Sequence, residues 1–322
     1  MRRILAMIAA PVVLATAACG SSGGGGGTSG GSVSSVLSSI SKQSNLASEL
    51  PSSVTAKGSI TVASDATYAP NEYLDPATGK VIGWEADFGK ALGKVLGVNF
   101  NFENATFSTI IPNLGTRYDI GISSFTPTTE REKTVDFVTY YRAGEIFFTK
   151  KGAAKITAVS QLCGKSVSVE TGTTEESDAW GYLGKNPDGS LIKGDPDNCQ
   201  KAGQPDITVH SFAKQTEANT DVLGGRAVAG FADEPVAHYQ VKLSNGSLEI
   251  SGSACSVYPY GIAMPKGSPL EKALKDAIKY LIDQGFYQQI LQDWSVQSGA
   301  LKSSEVALNS NDLVGQACVP SY

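Results

Sequence analysis

From Gly58 onward, short apolar runs typical of buried strands alternate with segments whose apolar residues recur at helical spacing. Residues 87–96 show the helical pattern best, because their apolar side chains share one face and Gly97 follows as a stop signal. The pattern predicts strands at 59–63, 98–102, 119–122, 166–169, 207–210 and 227–231. It predicts helices at 87–96, 107–114, from about 172, at 217–223 and over 269–295 with a break at Gly285.

This alternation runs once before Gly152 and starts again after it. Such a repeat predicts an α/β fold with two lobes, each a mostly parallel sheet flanked by helices. In these sheets, ligands bind beyond the carboxyl ends of the strands. Arg131, Gly172 and Asp233 all follow predicted strands in this way, so we expect them near a ligand site.

Residues 1–18 have the pattern of a secretory signal peptide. Arg2 and Arg3 are followed by an apolar stretch, 4–15, which is too short to span a membrane, and then by small residues up to Cys19. Small residues before a cysteine resemble a bacterial lipobox, in which the cysteine is lipidated and becomes the mature N-terminus. A plain cleaved signal beside an unrelated cysteine is the alternative.

Residues 19–57 are expected to tether the body to this anchor. Residues 20–32 are almost entirely Gly, Ser and Thr, a composition typical of a flexible coil. Residues 33–50 carry spaced apolar residues among many serines. This second stretch is either a short helix packed on the body or disordered, and the pattern leaves both open.

Composition narrows the possible partners and the chemistry. The chain has 322 residues, 41% hydrophobic and 18% charged, enough for about two domains. Its net charge is −5, whereas nucleic-acid-binding domains are usually basic, so nucleic acid is not an expected partner. With only His210 and His238 available and no zinc-like cysteine spacing, neither a metal nor another cofactor is expected.

Four cysteines follow Cys19, and an even number in an exported chain indicates two disulfides with three possible pairings. We favour Cys163–Cys199, which would join neighbouring parts of one lobe. Cys255–Cys318 would then hold the C-terminal tail.

The segment 123–131, Ser-Ser-Phe-Thr-Pro-Thr-Thr-Glu-Arg, carries the main candidate chemistry. It follows a predicted buried strand and combines hydroxyl groups with Arg131. A guanidinium binds a carboxylate through two parallel hydrogen bonds, and nearby hydroxyls add polar contacts. The segment therefore indicates capture of a small carboxylate, with an ordinary surface loop as the alternative.

Six motifs in order resemble the family 3 extracellular solute-binding proteins, the polar amino-acid receptors of ABC importers. They lie at 63–70, 83–88, 107–114, 123–131, 172–174 and 231–234. The resemblance runs from about residue 58 to 295. It implies a periplasmic-binding-protein-like fold, with two lobes joined by a two-strand hinge and a ligand cleft between them. Lobe 1 would comprise 58–142 and 259–322, and lobe 2 would comprise 143–258.

The resemblance also implies roles for the ligand's α-groups. Arg131 matches the family's carboxylate-binding arginine, assisted by Thr173 and Thr174 at a helix N-terminus. Asp233 matches the acid that accepts the α-ammonium, assisted by Ser124 and Thr126.

The same comparison places Tyr68 and Phe107 on the walls of the side-chain pocket and Asp65 at the ligand's distal group. Glu170 lies where it either faces this pocket or faces solvent at a strand end. Two acids and aromatic faces favour a cationic ligand resembling arginine or lysine, with glutamine next.

The expected function is therefore a monomeric lipoprotein, held by its N-terminus at the outer face of the cytoplasmic membrane, that delivers a polar amino acid to an ABC permease. A sensor for a membrane signalling partner is one alternative. An enzyme of the same fold, a lyase or dehydratase, is another, although no nucleophile–base set or phosphate-binding motif is present in the sequence.

Overall fold

The computed structural model describes residues 30–319, so the predicted signal peptide and Cys19 lie outside the described residues. The strands are β1 Ser59–Ser64, β2 Thr67–Tyr68, β3 Glu72–Leu74, β4 Val81–Ile82, β5 Asn99–Asn104, β6 Ile120–Gly121, β7 Val135–Lys150, β8 Ser166–Glu170, β9 Thr208–Phe212, β10 Ala229–Asp233 and β11 Leu248–Pro265. The α-helices are α1 Gly30–Ser39, α2 Ser44–Ala47, α3 Ser52–Lys57, α4 Trp84–Leu96, α5 Phe107–Ile110, α6 Thr174–Gly181, α7 Asn198–Lys201, α8 Gln215–Leu223, α9 Glu234–Leu243, α10 Glu271–Asp283 and α11 Phe286–Asp293. Short 3₁₀ helices cover Ile111–Asn113, Arg131–Lys133, Val159–Leu162, Gln297–Gly299 and Ser303–Glu305.

Eight strands form one sheet in the order β5-β1-β6-β11-β7-β10-β8-β9. At one end β1 pairs in parallel with β5 and β6, and at the other end β8 pairs in parallel with β9 and β10. The two central strands run antiparallel to their neighbours and to each other. The predicted α/β fold with mostly parallel sheets is confirmed.

The two central strands connect the halves of the sheet. β7 has 16 residues and β11 has 18, and they pair from Leu248 opposite Lys150 to Pro265 opposite Val135. Their register shifts between Ser251 and Tyr258, and an irregularity of this kind bends a strand locally. These strands form the two-strand hinge that the family resemblance implies.

We call the half with β1, β5, β6, α4, α10 and α11 the first lobe, and the half with β8, β9, β10, α6, α8 and α9 the second lobe. Each has its own core. Trp84, Phe88 and Leu92 of α4 are fully buried against the first sheet half and α10. The second core is built around residues such as Val167 and Phe231. The sheet therefore positions two separately packed bodies on either side of a cleft.

The segment 33–50 forms helices α1 and α2 and lies on the first lobe, so the helical alternative holds for it. Its apolar side chains at Val33, Val36 and Ile40 follow a helical repeat and are buried. The N–H of Gln43 donates to the carbonyl oxygen of Val95 in α4 at 2.9 Å. Burial of this apolar face orders a segment whose serine content alone would favour disorder.

Both disulfides of the favoured pairing are present. Cys163–Cys199 joins the loop before β8 to α7 within the second lobe. Cys255–Cys318 joins β11 to the tail. The predicted placement of the whole tail in the first lobe is wrong at its end, because this disulfide holds Cys318 and Val319 against the core of the second lobe.

Helix α4 begins at Trp84, three residues before its predicted start. The N–H groups of Trp84 and Glu85 donate to the carbonyl oxygens of Pro70 and Asn71, both at 3.1 Å, so neighbouring backbone caps the extra turn. Gly83 allows this approach, because a Cβ there would lie 2.2 Å from the carbonyl oxygen of Asn71. Among residues 30–319, no helix is both long and apolar enough to cross a membrane.

Candidate functional site

A narrow cavity lies between the lobes, beyond the carboxyl ends of β1, β6, β8 and β10, and encloses about 10 Å³. This is about the space of one water molecule, so the lobes must separate before a larger ligand can enter. The lining side chains are Asp65, Tyr68, Phe107, Ser123, Ser124, Thr126, Arg131, Glu170, Thr173, Thr174, Glu175 and Asp233. All ten residues that the sequence comparison singled out for ligand binding are among them, although their roles stay predictions.

Arg131 is fixed in the cleft by backbone and aromatic contacts. Its Nη1 donates to the carbonyl oxygen of Thr126 and its Nη2 to that of Gly172 across the cleft, both at 2.8 Å. Its guanidinium carbon lies 5.4 Å from the ring centre of Phe107 and 5.6 Å from that of Phe125. Burial lowers the pKa of Arg131 to about 10, so the group stays cationic at neutral pH. The side chain is therefore a cation held in a fixed orientation at the cavity wall, an arrangement that suits an anionic group.

The start of α6 lies on the opposite wall. Thr173 caps this helix, since its Oγ1 accepts the N–H of Glu176 at 3.2 Å and donates to the carbonyl oxygen of Glu170 at 2.7 Å. The N–H groups of Thr173 and Thr174 have no acceptor within the described part of the chain. Because the partial positive charge of a helix lies at its N-terminus, these groups suit the same anion as Arg131.

Asp233 ends β10 and meets Tyr68 of the first lobe. The hydroxyl of Tyr68 donates to Oδ2 of Asp233 at 2.9 Å, and the N–H of Asp233 donates to the same hydroxyl oxygen at 3.2 Å. Burial raises the pKa of Asp233 to about 7, although Tyr68 and Arg131 act in the opposite direction. Asp233 is therefore an acceptor whose charge depends on pH near neutrality.

Asp65 and Glu170 are two buried acids with different partners. Oδ1 of Asp65 accepts the N–H and hydroxyl of Thr67, and Oδ2 accepts the N–H of Phe107 at 2.8 Å. Glu170 is only 1% exposed, and neither of its carboxylate oxygens receives a hydrogen bond from residues 30–319. Burial, and then the charges of Asp65 and Glu175, raise the pKa of Glu170 well above its usual range. The solvent-facing alternative for Glu170 is wrong.

Ser124 is held by residues behind the cavity. Its hydroxyl donates a hydrogen bond to Oε1 of Glu85 at 2.9 Å and accepts one from the Nδ2–H of Asn71 at 2.8 Å. Its proton is therefore committed to Glu85, but its oxygen keeps a second lone pair. Ser124 can consequently accept from a ligand cation and cannot readily donate to an anion.

The model of the bacterial extracellular solute-binding proteins, family 3, matches residues 60–297. The chain belongs to this family. An arginine-binding protein of Corynebacterium glutamicum is 30% identical over 266 residues, which cover 82% of each chain. A glutamine-binding protein of an ABC transporter in Bacillus subtilis is 29% identical over 227 residues, 68% of this chain and 75% of that one. The solved structure of an ancestral arginine-binding protein bound to arginine is 32% identical with a TM-score of 0.62, covering 74% of this chain and 98% of that one.

These relatives are named as binding proteins, and membership of this family favours a binding role for the chain. One group of residues in the second lobe resembles a catalytic triad in composition only. Ser168 and His210 both bind Oδ2 of Asp221, at 2.6 and 2.7 Å. In a hydrolase the serine would bond to the histidine, and here Ser168 is fully buried.

Glu175 is the main residue of this solute-binding protein's cleft that sequence reasoning missed. It lies in the first turn of α6 and is 2% exposed, and no group among the described residues donates a hydrogen bond to its Oε1. Burial, and then the charge of Asp233, raise the pKa of Glu175 well above its usual range. Acids in a first helical turn are usually explained by their favourable interaction with the helix dipole. The sequence Thr-Thr-Glu-Glu therefore does not distinguish a cleft acid from an ordinary acid at a helix start. Ser123, also missed, donates to Oε1 of Glu72 at 2.6 Å behind the cavity.

Proposed function

We propose that the protein captures a cationic amino acid, arginine first and lysine next, and delivers it to the permease of an ABC importer. The observation that carries this proposal is Glu170, a buried carboxylate beside Asp65 in the cavity, whose two oxygens receive no hydrogen bond from the described part of the chain. A buried carboxylate without a donor is costly. A ligand guanidinium supplies two parallel donors in the geometry that such a carboxylate accepts.

The positions of the other groups support the remaining contacts of this proposal. The α-carboxylate of the ligand binds Arg131 and the N–H groups of Thr173 and Thr174. Its α-ammonium binds Asp233, with Ser124 and Thr126 as further acceptors. Its aliphatic chain and guanidinium lie against Tyr68 and Phe107, whose aromatic faces attract cations. One amino acid thus contacts both lobes, which makes ligand binding favour the closed cleft.

The charge of the cavity supports a cationic side chain. Four carboxyl groups line it against the single guanidinium of Arg131, namely Asp65, Glu170, Glu175 and Asp233. Burial raises the pKa values of these acids, so their charged forms are disfavoured in the ligand-free cavity. A cationic ligand stabilises the ionised carboxylates, whereas an acidic ligand is repelled by them. A neutral amide such as glutamine is the second candidate, since it donates two N–H bonds but brings no charge. The glutamine-binding relative in Bacillus subtilis supports glutamine as this second candidate.

We further propose that Cys19 is lipidated after removal of residues 1–18, and that the protein works as a monomer tethered outside the cytoplasmic membrane. This fits the extracellular solute-binding family and the Gly- and Ser-rich segment after the cysteine. Metabolic labelling with a fatty acid tests the lipidation, with Cys19→Ala as the unlabelled control.

A sensor for a membrane signalling partner would use the same ligand site. Deleting the permease distinguishes the two roles, because it abolishes amino-acid uptake but leaves the response of a signalling partner intact.

The ligand is tested by thermal shift and calorimetry of the purified protein, stripped of bound ligand, against the twenty amino acids. A ligand at about 1,000 times its Kd stabilises the folded state by about 4 kcal/mol. Arginine should give the largest shift and lysine the next. A response confined to glutamine would overturn the cationic assignment but keep the receptor, and no response at all would overturn amino-acid binding.

The variant Glu170→Gln tests the role of the unpaired carboxylate. Arginine affinity should fall about 10- to 100-fold, because a hydrogen bond to a charged group contributes about 1.5–3 kcal/mol. Glutamine affinity should stay equal or increase. Glu217→Gln, an exposed change on α8, is the matched control and should change neither. Unchanged arginine affinity in Glu170→Gln would refute the proposed role of Glu170.

A further inference from the structure

The C-terminal tail lies outside the family match, which ends at residue 297. Its first part is bound to the first-lobe end of β7. The N–H of Thr139 donates to the carbonyl oxygen of Ala307 at 3.0 Å. Asn309 and Phe137 exchange two hydrogen bonds of 2.8 Å, and Nδ2 of Asn309 donates to Asp136 at 2.8 Å. Asn309 is therefore fixed on the first lobe through both its backbone and its side chain.

The last part of the tail is bound to β11. The N–H of Val314 donates to the carbonyl oxygen of Val257 at 2.9 Å, and the N–H of Ser256 donates to that of Gln316 at 2.8 Å. The N–H of Cys318 donates to Oγ of Ser256 at 2.9 Å, and the adjacent disulfide joins Cys318 to Cys255. We call residues 307–319 the brace.

The brace crosses between the lobes together with the hinge strands. It meets β11 at residues 255–257, where the pairing with β7 is shifted in register. These irregular residues are where bending of the hinge is expected, and the brace binds their free side. Beyond them, Val319 packs on the second-lobe core. The chain therefore links the lobes three times.

The free length of the brace limits its reach. Four residues, 310–313, separate the Asn309 attachment from the Val314 attachment, and a chain of this length spans at most about 17 Å when extended. Thr126 and Arg131 of the first lobe, Gly172 of the second lobe, and Asn311 and Val319 of the brace line one chamber of about 640 Å³ beside the ligand cavity. Opening the cleft must move the walls of this chamber apart while the brace stays attached to both.

We propose that the brace limits how far the lobes open, and that the Cys255–Cys318 disulfide keeps this limit in place. A third attached strand stiffens the hinge, so the ligand-free protein samples a narrower range of openings. A bound ligand consequently leaves more slowly. The limit depends on the brace and not on which ligand occupies the cleft.

The first test replaces both cysteines of the brace, Cys255→Ser with Cys318→Ser. The matched control is Cys163→Ser with Cys199→Ser, which removes a disulfide contained within the second lobe. Small-angle X-ray scattering of the ligand-free proteins should show a larger radius of gyration for the brace variant only. This measurement needs no ligand, so its result is independent of the proposed function.

Release of L-arginine, followed by stopped flow, should become about tenfold faster in the brace variant, because affinity differences between related complexes lie mostly in the dissociation rate. The control pair should release it at the parent rate.

The second test lengthens the brace and keeps the disulfide. Eight Gly and Ser residues inserted after Asp312 leave both attachments in place and remove the restriction on length. The inserted variant should open as far as the cysteine variant while its disulfide remains formed. The proposal is overturned if the cysteine and insertion variants both match the parent in radius of gyration, or if the Cys163–Cys199 control opens to the same extent.

Discussion

Tyr68 and Asp233, which both line the cavity, join the two lobes through a hydrogen bond of 2.9 Å. Tyr68 comes from β2 of the first lobe and Asp233 from the end of β10 in the second. Two further contacts cross the same cleft, from Arg131 to the carbonyl oxygen of Gly172 and from the N–H of Gln215 to Thr67. The groups proposed to bind ligand therefore also hold the closed cleft together.

Replacing Tyr68 with phenylalanine removes the hydroxyl but keeps the ring. We expect about 10-fold weaker amino-acid binding or more, since hydrogen bonds to charged groups contribute about 1.5–3 kcal/mol. Isothermal titration calorimetry measures the change. Tyr280→Phe, on the outer helix α10, is the control and should bind like the parent. Equal affinity of Tyr68→Phe and the parent would mean that this contact contributes nothing to the bound state.

Ligand affinity should rise with pH, because Asp233 must be ionised to accept an ammonium group. With its pKa raised to about 7 by burial, only about 1% of the ligand-free protein carries this charge at pH 5. We expect affinity about 100-fold weaker at pH 5 than at pH 8, with proton release on binding below pH 7. Calorimetry at pH 6 in two buffers of different ionisation enthalpy measures the released protons.

The variant Asp233→Asn provides the control for this pH dependence. In this variant the slope of ligand affinity against pH should be shallower but not zero, because burial also raises the pKa values of Glu170 and Glu175.

The raised pKa of Asp233 also makes the free energy of unfolding depend on pH. The protonated form of Asp233 stabilises the ligand-free protein at low pH, and this contribution is lost as pH rises through about 7. Without ligand, Asp233→Asn should therefore gain stability over the parent as pH rises, and a constant difference between pH 5 and 8 would contradict this.

The parts of the site that could be predicted lie in loops after strands. Arg131, Thr173 and Asp233 all follow strands of one sheet, so the topology brings them together at one edge. The hydroxyls and charges of such loops are visible in the sequence. Glu170 was recognised as a candidate, but its burial depends on the opposite lobe, which no local pattern describes.

The parts that could not be predicted lack a periodic signal. β7 is buried on both faces, so its side chains show no alternation between apolar and polar that would mark a strand. The Cys255–Cys318 disulfide of the brace was among the favoured pairings, but the contacts of Asn309 with β7 join residues far apart in the chain and have no sequence signal. Glu175 resembles any acid in a first helical turn, and its role depends on the tertiary neighbour Asp233.

Replacing Arg131 with alanine should abolish amino-acid binding. Truncating one partner of a buried charged pair costs about 2–5 kcal/mol, which corresponds to at least about 30-fold in Kd. Arg131→Lys keeps the charge but loses the planar fork and its bonds to Thr126 and Gly172, so it should recover only part of the affinity.

Arg117→Ala serves as the control for this change, since Arg117 is exposed and 3.7 Å from Glu103 on the surface. It should leave Kd unchanged in calorimetry. Tight binding by Arg131→Ala would remove the carboxylate role from Arg131.

Gly172 allows the two lobes to approach each other. Its φ of +87° is unfavourable for other residues, and a Cβ there would lie 3.2 Å from Cβ of Ser108 on the first lobe. Gly172→Ala should therefore disfavour the closed cleft as well as strain the backbone by about 1–2 kcal/mol. Gly189→Ala isolates the strain, because Gly189 has a φ of +82° with nothing within 4 Å of the added carbon. We expect both variants to melt at a lower temperature than the parent, but only Gly172→Ala to bind ligand more weakly. Equal ligand affinities of Gly172→Ala and the parent in calorimetry would show that the close approach of Gly172 to Ser108 does not limit closure.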